Sequence, residues 1–200
     1  SHGITRRMVN EDLSIFEYVF CWLGNTNLIL SIIKLIEDKM NLEHDIDEAG
    51  VQMILLVEDS IRFYSSILPN LYSYILAQSQ RFATEALNPH SATLRMRGRP
   101  KVVLARTYEE AMEYYLRYPE NIFGEKGACR FPKGGEKDSE AGLKLLQEIR
   151  KRDPFLPLII ESSESENKEK AEALGLRFID KNSKKMNIDL RNLMATHMGF

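Results

Sequence analysis

The run Val51 to Val57 (VQMILLV) passes without a break into Glu58, Asp59 and Ser60. An apolar stretch this short, with almost no polar alternation, suits a strand covered on both faces, as at the centre of a parallel α/β sheet. Two carboxylates then stand at its carboxyl end, which is the edge where open α/β sheets bind ligands. Side by side they repel each other unless a cation or a lysine lies between them. Ser60 can cap a following helix, and both acids would also suit the positive end of that helix with no ligand present.

The rest of the chain repeats the strand-helix alternation. Ser60 to about Leu87 is predicted as one long helix, with Ile61, Tyr64, Ile67, Leu68, Leu71, Ile75 and Phe82 at helical spacing and a kink at Pro69. A connector (88–100) leads to the strand Lys101 to Ala105. Thr107 and Glu110 form a capping-box pattern that opens a helix ending before Pro119. A third strand is due next, and Asn121 to Gly124 is the only apolar piece available for it. Glu125, Lys126, Gly127 and Ala128 turn polar too early for a buried strand. Ser139 to Arg152 reads as an amphipathic helix, Leu156 to Ile160 as a buried strand, Glu166 to Leu174 as a charged helix and Leu176 to Ile179 as the last strand. A final helix is expected from residue 184 or 186 toward 196. From residue 51 onward the order is β-α repeated five times, which calls for a doubly wound parallel sheet.

The first 50 residues read differently. Ile15 to Leu23 (IFEYVFCWL) is predicted as a strand and Leu28 to Met40 as a helix that is apolar on more than one side. Asn41 to Gly50 (NLEHDIDEAG) reads as an acidic linker. One strand and one helix cannot bury themselves, so residues 1–50 are expected to be the last strand-helix unit of a preceding domain plus a linker, and residues 51–200 the main domain. Paired with a second copy, the segment over residues 15–40 would make a homodimer.

Composition limits the partners. A net charge of −2 gives no general attraction to nucleic acid or an anionic membrane, and no apolar run approaches the roughly 20 residues that a membrane helix needs. Cys21 and Cys129 lack the spacing of a metal knuckle, and with no secretion signal in view a cytoplasmic, reduced setting is expected. Ser1-His2-Gly3 resembles an expression remnant.

Three predicted strands deliver polar groups to one sheet edge: Glu58 and Asp59 after the first, Ser162 and Ser163 after the fourth, Lys181 after the fifth. At these residues the chain resembles the receiver domain of bacterial response regulators, with landmarks at Gly142 and Pro157. The resemblance implies a five-stranded parallel sheet of flavodoxin-like order 2-1-3-4-5. It also implies Mg²⁺ on the acidic pair Glu58 and Asp59, phosphoryl contacts from Ser162 and Lys181, and a switch aromatic at Phe178. Counting back from Arg130-Phe131-Pro132, the phosphoacceptor position holds Ala128, which has no oxygen to phosphorylate. Asn182 stands where receivers usually have a proline. A degenerate receiver is therefore expected. It would be regulatory rather than enzymatic, with weak Mg²⁺ binding and with Lys181 reaching Glu58 or Asp59. A histidine kinase or adjoining domains of a parent protein are the implied partners. More narrowly, GVQMILLVEDSIRFYSSILP, RFPKGGEKDSEAGLKLLQEIRKRDPFLPLIIESS and FIDKNS resemble the receiver-like region that precedes the catalytic parts of phosphoenolpyruvate synthase or pyruvate phosphate dikinase-like proteins.

Two other readings compete. Asp138, in the loop Lys133 to Asp138, could replace the missing acceptor. Arg97-Gly98-Arg99-Pro100 matches the core of an AT-hook, a minor-groove binder, though four residues are easily matched by chance in a net acidic chain.

Overall fold

The computed structural model describes residues 16–84, 88, 98–183, 188, 191, 192 and 195. In chain order they form α1 (Asn27–Ala49), β1 (Met53–Val57), α2 (Ile61–Thr84), β2 (Lys101–Ala105), α3 (Tyr108–Arg117), β3 (Ile122–Ala128), β4 (Phe131–Lys133), β5 (Glu136–Asp138), α4 (Ala141–Arg152), β6 (Leu158–Ser162), α5 (Glu166–Ala173) and β7 (Arg177–Asp180). Of the helix expected near residues 184–196, residues 188, 191, 192 and 195 are described and are helical; the rest of that stretch and most of the 88–100 connector lie outside the described residues.

Five strands make one parallel sheet in the order β2-β1-β3-β6-β7. Leaving aside the small β4-β5 hairpin, this is the expected 2-1-3-4-5 order of a doubly wound, flavodoxin-like α/β fold. Apolar runs set the layers. Met53, Leu55, Val57, Val103, Leu158 and Ile160 face α3, α4 and α5. Ile54, Leu56, Val102, Leu104, Ile159 and Ile179 face α2 and part of α1.

Three local expectations need correction. First, β3 does not stop at Gly124 but runs to Ala128, because β1 pairs with it through Gly127 and β6 pairs with it through Ala128. Backbone ladders on both sides hold the strand although its side chains turn polar. Second, the stretch read as an acidic linker is the second half of α1. Leu42 and Ile46 continue the buried row begun by Leu28 and Leu35, so the helix ends only at Gly50, whose left-handed backbone lets its N–H reach Ile46 O and the Val51 N–H reach Asp45 O. Third, residues 16–23 form no strand.

The last point has a visible cause. The edge of β2 that an added strand would need is covered by α1, whose Asp38 carboxylate accepts the Val102 N–H at 3.0 Å. Residues 16–23 instead lie against α2. Tyr64 donates its hydroxyl to Val19 O, the Cys21 N–H reaches Ser65 Oγ at 2.9 Å, and Phe20 packs edge-on against the Tyr64 ring.

Asp38 also receives Arg99 through both guanidinium nitrogens, at 2.5 and 3.0 Å, and the Tyr72 hydroxyl at 2.8 Å. Lys101 bonds Asp45 at 2.5 Å. Arg99 is thus buried inside the protein and cannot enter a minor groove as the AT-hook reading requires. Arg97 is outside the described residues.

Candidate functional site

β1 ends where its ladder does, and the chain turns upward into α2, leaving Glu58 and Asp59 at the carboxyl edge of the sheet. The Ser60 N–H donates to Glu58 Oε1 at 3.1 Å and the Ser60 carbonyl accepts the first helical N–H, from Tyr64. β7 ends one strand beyond β6, and the Lys181 N–H reaches Ser162 O, which carries the Lys181 side chain back over the sheet edge. Its ammonium lies 2.5 Å from Glu58 Oε2, as expected, and 4.3 Å above the Phe63 ring. Burial raises the Glu58 pKa, with Lys181 pulling in the opposite direction.

Asp59 is paired separately, to Lys137 at 2.9 Å. Lys137 comes from the β4-β5 hairpin, which replaces the loop expected over residues 133–138. Gly134 and Gly135 both have positive φ, as a two-residue hairpin turn demands, and fully buried Phe131 anchors the hairpin to the core. The Gly134 N–H donates to Glu109 at the start of α3, and Lys133 lies over the Tyr108 ring.

Ser162, at the end of β6, is buried, and its hydroxyl accepts the Asn167 amide at 2.9 Å and the Glu164 N–H at 3.0 Å. Ala128 ends β3 opposite Glu161, and the next N–H, from Cys129, is taken by Glu161 O. Gly142 is required here, since a Cβ on it would lie 2.0 Å from Ala128 O. Phe178 is half-buried on the opposite face, against the α3-α4 core, and does not line the cleft. Asp138 is also elsewhere, accepting the Glu140 N–H and Lys144 at the start of α4, which lowers its pKa.

Residues that sequence reading missed complete the cleft, which encloses about 370 Å³. Arg130 and Asn167 line it, together with Glu161 from the floor. Below Glu58, on the α2 face, Lys126 extends from β3 to 2.6 Å from Glu161 Oε2, in poor hydrogen-bonding alignment, and Glu161 Oε1 has no hydrogen-bond partner. The signal for Lys137 was present in the Gly134-Gly135 turn. Lys126 gave none, since a lysine in a strand sequence usually faces water.

Mg²⁺ requires several oxygen ligands in near-octahedral array. Here each member of the acidic pair already holds an ammonium group. Among the described residues no group of three or more His, Cys, Asp or Glu is arranged to hold a metal ion. Both ammonium groups would have to give way before the pair could take the ion.

Comparison with solved structures returns receiver domains. The chain is similar to a response regulator receiver domain protein from Clostridium thermocellum, with 19% identity and TM-score 0.46 over 74% of this chain and 95% of that one. It is similar to a CheY-like receiver domain protein from Methanospirillum hungatei, with 21% identity and TM-score 0.44 over 74% and 94%. It is also similar to a chain of the CheX-CheY complex with BeF3 and magnesium from Borrelia burgdorferi, with 19% identity and TM-score 0.44 over 74% and 92%. No protein-family model and no curated protein matches the chain. Among the described residues, no helix is long and apolar enough to cross a membrane.

Proposed function

We propose that residues 51–200 are a regulatory, receiver-like module of signal transduction that accepts no phosphoryl group and works through protein contacts rather than catalysis. One observation carries this reading. Alanine ends β3 on the edge where Glu58, Asp59, Ser162 and Lys181 gather, and a methyl group cannot form an acyl phosphate. Further support comes from Lys181, the charged group that would hold a phosphoryl oxygen, since its ammonium is bonded to Glu58. A phosphorylated carboxylate elsewhere is disfavoured, because Asp138 is bonded to Lys144 and the Glu140 N–H and Glu161 is paired with Lys126. Replacing Ala128→Asp should strengthen Mg²⁺ binding, read by calorimetric titration. No gain over the natural chain would mean that Ala128 is not the acceptor position.

In this reading the chain belongs to a larger phosphoenolpyruvate synthase-like protein, in the cytoplasm, with residues 1–50 left from a preceding receiver-like unit. Its partners are the adjoining domains or a histidine kinase. A second copy is the further candidate. Trp22, Leu23, Ile29, Ile33, Ile36 and Met40 leave an apolar surface exposed on α1 and the segment before it, and Met40 is 79% exposed. Light scattering at high concentration tests the homodimer, and a strict monomer would reject it.

A further inference from the structure

The cleft is neutral without a metal. Of the four carboxylates that line it, Glu164 shares it with Arg130, and each of the other three has its own lysine: Glu58 has Lys181, Asp59 has Lys137 and Glu161 has Lys126. Two of these lysines come from the sheet, one from the end of β7 and one from within β3. The third does not, since Lys137 is 60% exposed on a hairpin that is held by Phe131 in the core and by contacts to α3 and α4. Asp59 is different in kind from Glu58 and Glu161 for the same reason. Its side chain is the least buried of the three, and among the described residues the cation bonded to it, Lys137, is the most exposed of the three lysines.

From this we infer that Lys137 is a resident cation standing in for the divalent ion at Asp59, so that docking of the β4-β5 hairpin and binding of a metal exclude one another. The inference rests on the reading of Ala128 as the acceptor position and adds a second lock to it. A divalent cation approaching Asp59 meets an ammonium 2.9 Å from the carboxylate oxygen, with the Lys181 charge on the neighbouring acid. Like charges at such range repel, though water around the exposed Lys137 screens part of the effect. Metal can take Asp59 only after Lys137 leaves, and when it leaves the hairpin loses its tie to the acidic pair. Phe131 would keep the base of the hairpin in the core, so that only the tip is released.

The test compares Mg²⁺ dissociation constants by calorimetry for Ala128→Asp and for Ala128→Asp with Lys137→Gln, in the full chain. Lys137→Gln should tighten binding about tenfold in that background, which corresponds to about 1.4 kcal/mol. Equal constants for the two proteins would overturn the inference. The step from the natural chain to Ala128→Asp is read separately and tests the reading of position 128, so the two can fail independently. Should Ala128→Asp not fold, Lys137→Gln alone decides. It should bind Mg²⁺ at least about threefold more tightly than the natural chain and should speed amide exchange at Gly134 and Gly135. Unchanged affinity and unchanged exchange would overturn the inference.

Discussion

Asp38 and Glu125 are both buried carboxylates beside a strand, and they are treated in opposite ways. Asp38, fully buried, accepts four hydrogen bonds, two from Arg99 and one each from Tyr72 and the Val102 backbone. Glu125, 1% exposed, accepts none at either oxygen. The difference follows from position in the sheet. β2 is an edge strand, so its free N–H groups and its flanking Arg99 and Lys101 offer donors to a helix laid across it. β3 is central, its backbone is consumed by ladders to β1 and β6, and the register sets Glu125 between Leu55 and Leu158, which have nothing to donate. Burial alone therefore pushes the Glu125 pKa up to about 8, and the side chain is neutral at physiological pH. A buried acid at the edge holds the structure together. One at the centre weakens it.

Breaking the satisfied cluster should have the largest effect. Asp38→Ala strands Arg99 and bares the β2 edge, and it should cost about 3–5 kcal/mol of unfolding free energy in urea titrations. A loss below about 1 kcal/mol would mean that the cluster contributes no net stability.

Glu125→Leu should act in the opposite direction, stabilising the protein by about 1–3 kcal/mol at pH 7 because a polar group without a partner is removed. Its advantage has a definite pH dependence. The folded pKa lies above that of the unfolded chain, so the natural protein is most stable below about pH 4.5 with respect to this group, loses stability as the pH rises, and levels off once Glu125 ionises in the fold near pH 8. The gain from Glu125→Leu should grow between pH 5 and pH 8. Unfolding curves that give the same gain at both pH values would refute the assignment of a neutral buried acid.

The intermediate case is Lys126 with Glu161, which are buried and paired but leave Glu161 Oε1 without a donor. Replacing both together, as Lys126→Met with Glu161→Gln, should change stability by less than about 1 kcal/mol, because the lost attraction is offset by the desolvation no longer required. A loss of several kcal/mol would move this pair into the same class as Asp38.

The same contrast explains how much was legible in the sequence. Strands such as 53–57, 101–105 and 158–162 were visible because a strand buried on both faces must be apolar throughout, and the edge residues Glu58, Asp59, Ser162 and Lys181 followed from where those runs stop. β3 was not legible past Gly124, because Glu125 and Lys126 break the pattern while the ladders on both sides hold the backbone. The second half of α1 was hidden by its acidic residues, although Leu42 and Ile46 keep the spacing of Leu28 and Leu35. The run 15–23 has strand composition, but composition cannot say whether a free sheet edge exists, and α1 occupies the one at β2. Pairing within the cleft was out of reach wherever it depended on the hairpin or on a lysine inside a strand.

The central claim is that the cleft has kept the outline of a phosphorylation site without its acceptor. Intact mass after incubation with a small phosphodonor and Mg²⁺ tests it most directly, with Ala128→Asp treated in parallel. The natural chain should keep its mass, while Ala128→Asp should gain a base-labile phosphoryl group. A stoichiometric, base-labile phosphoryl adduct on the natural chain would contradict the account.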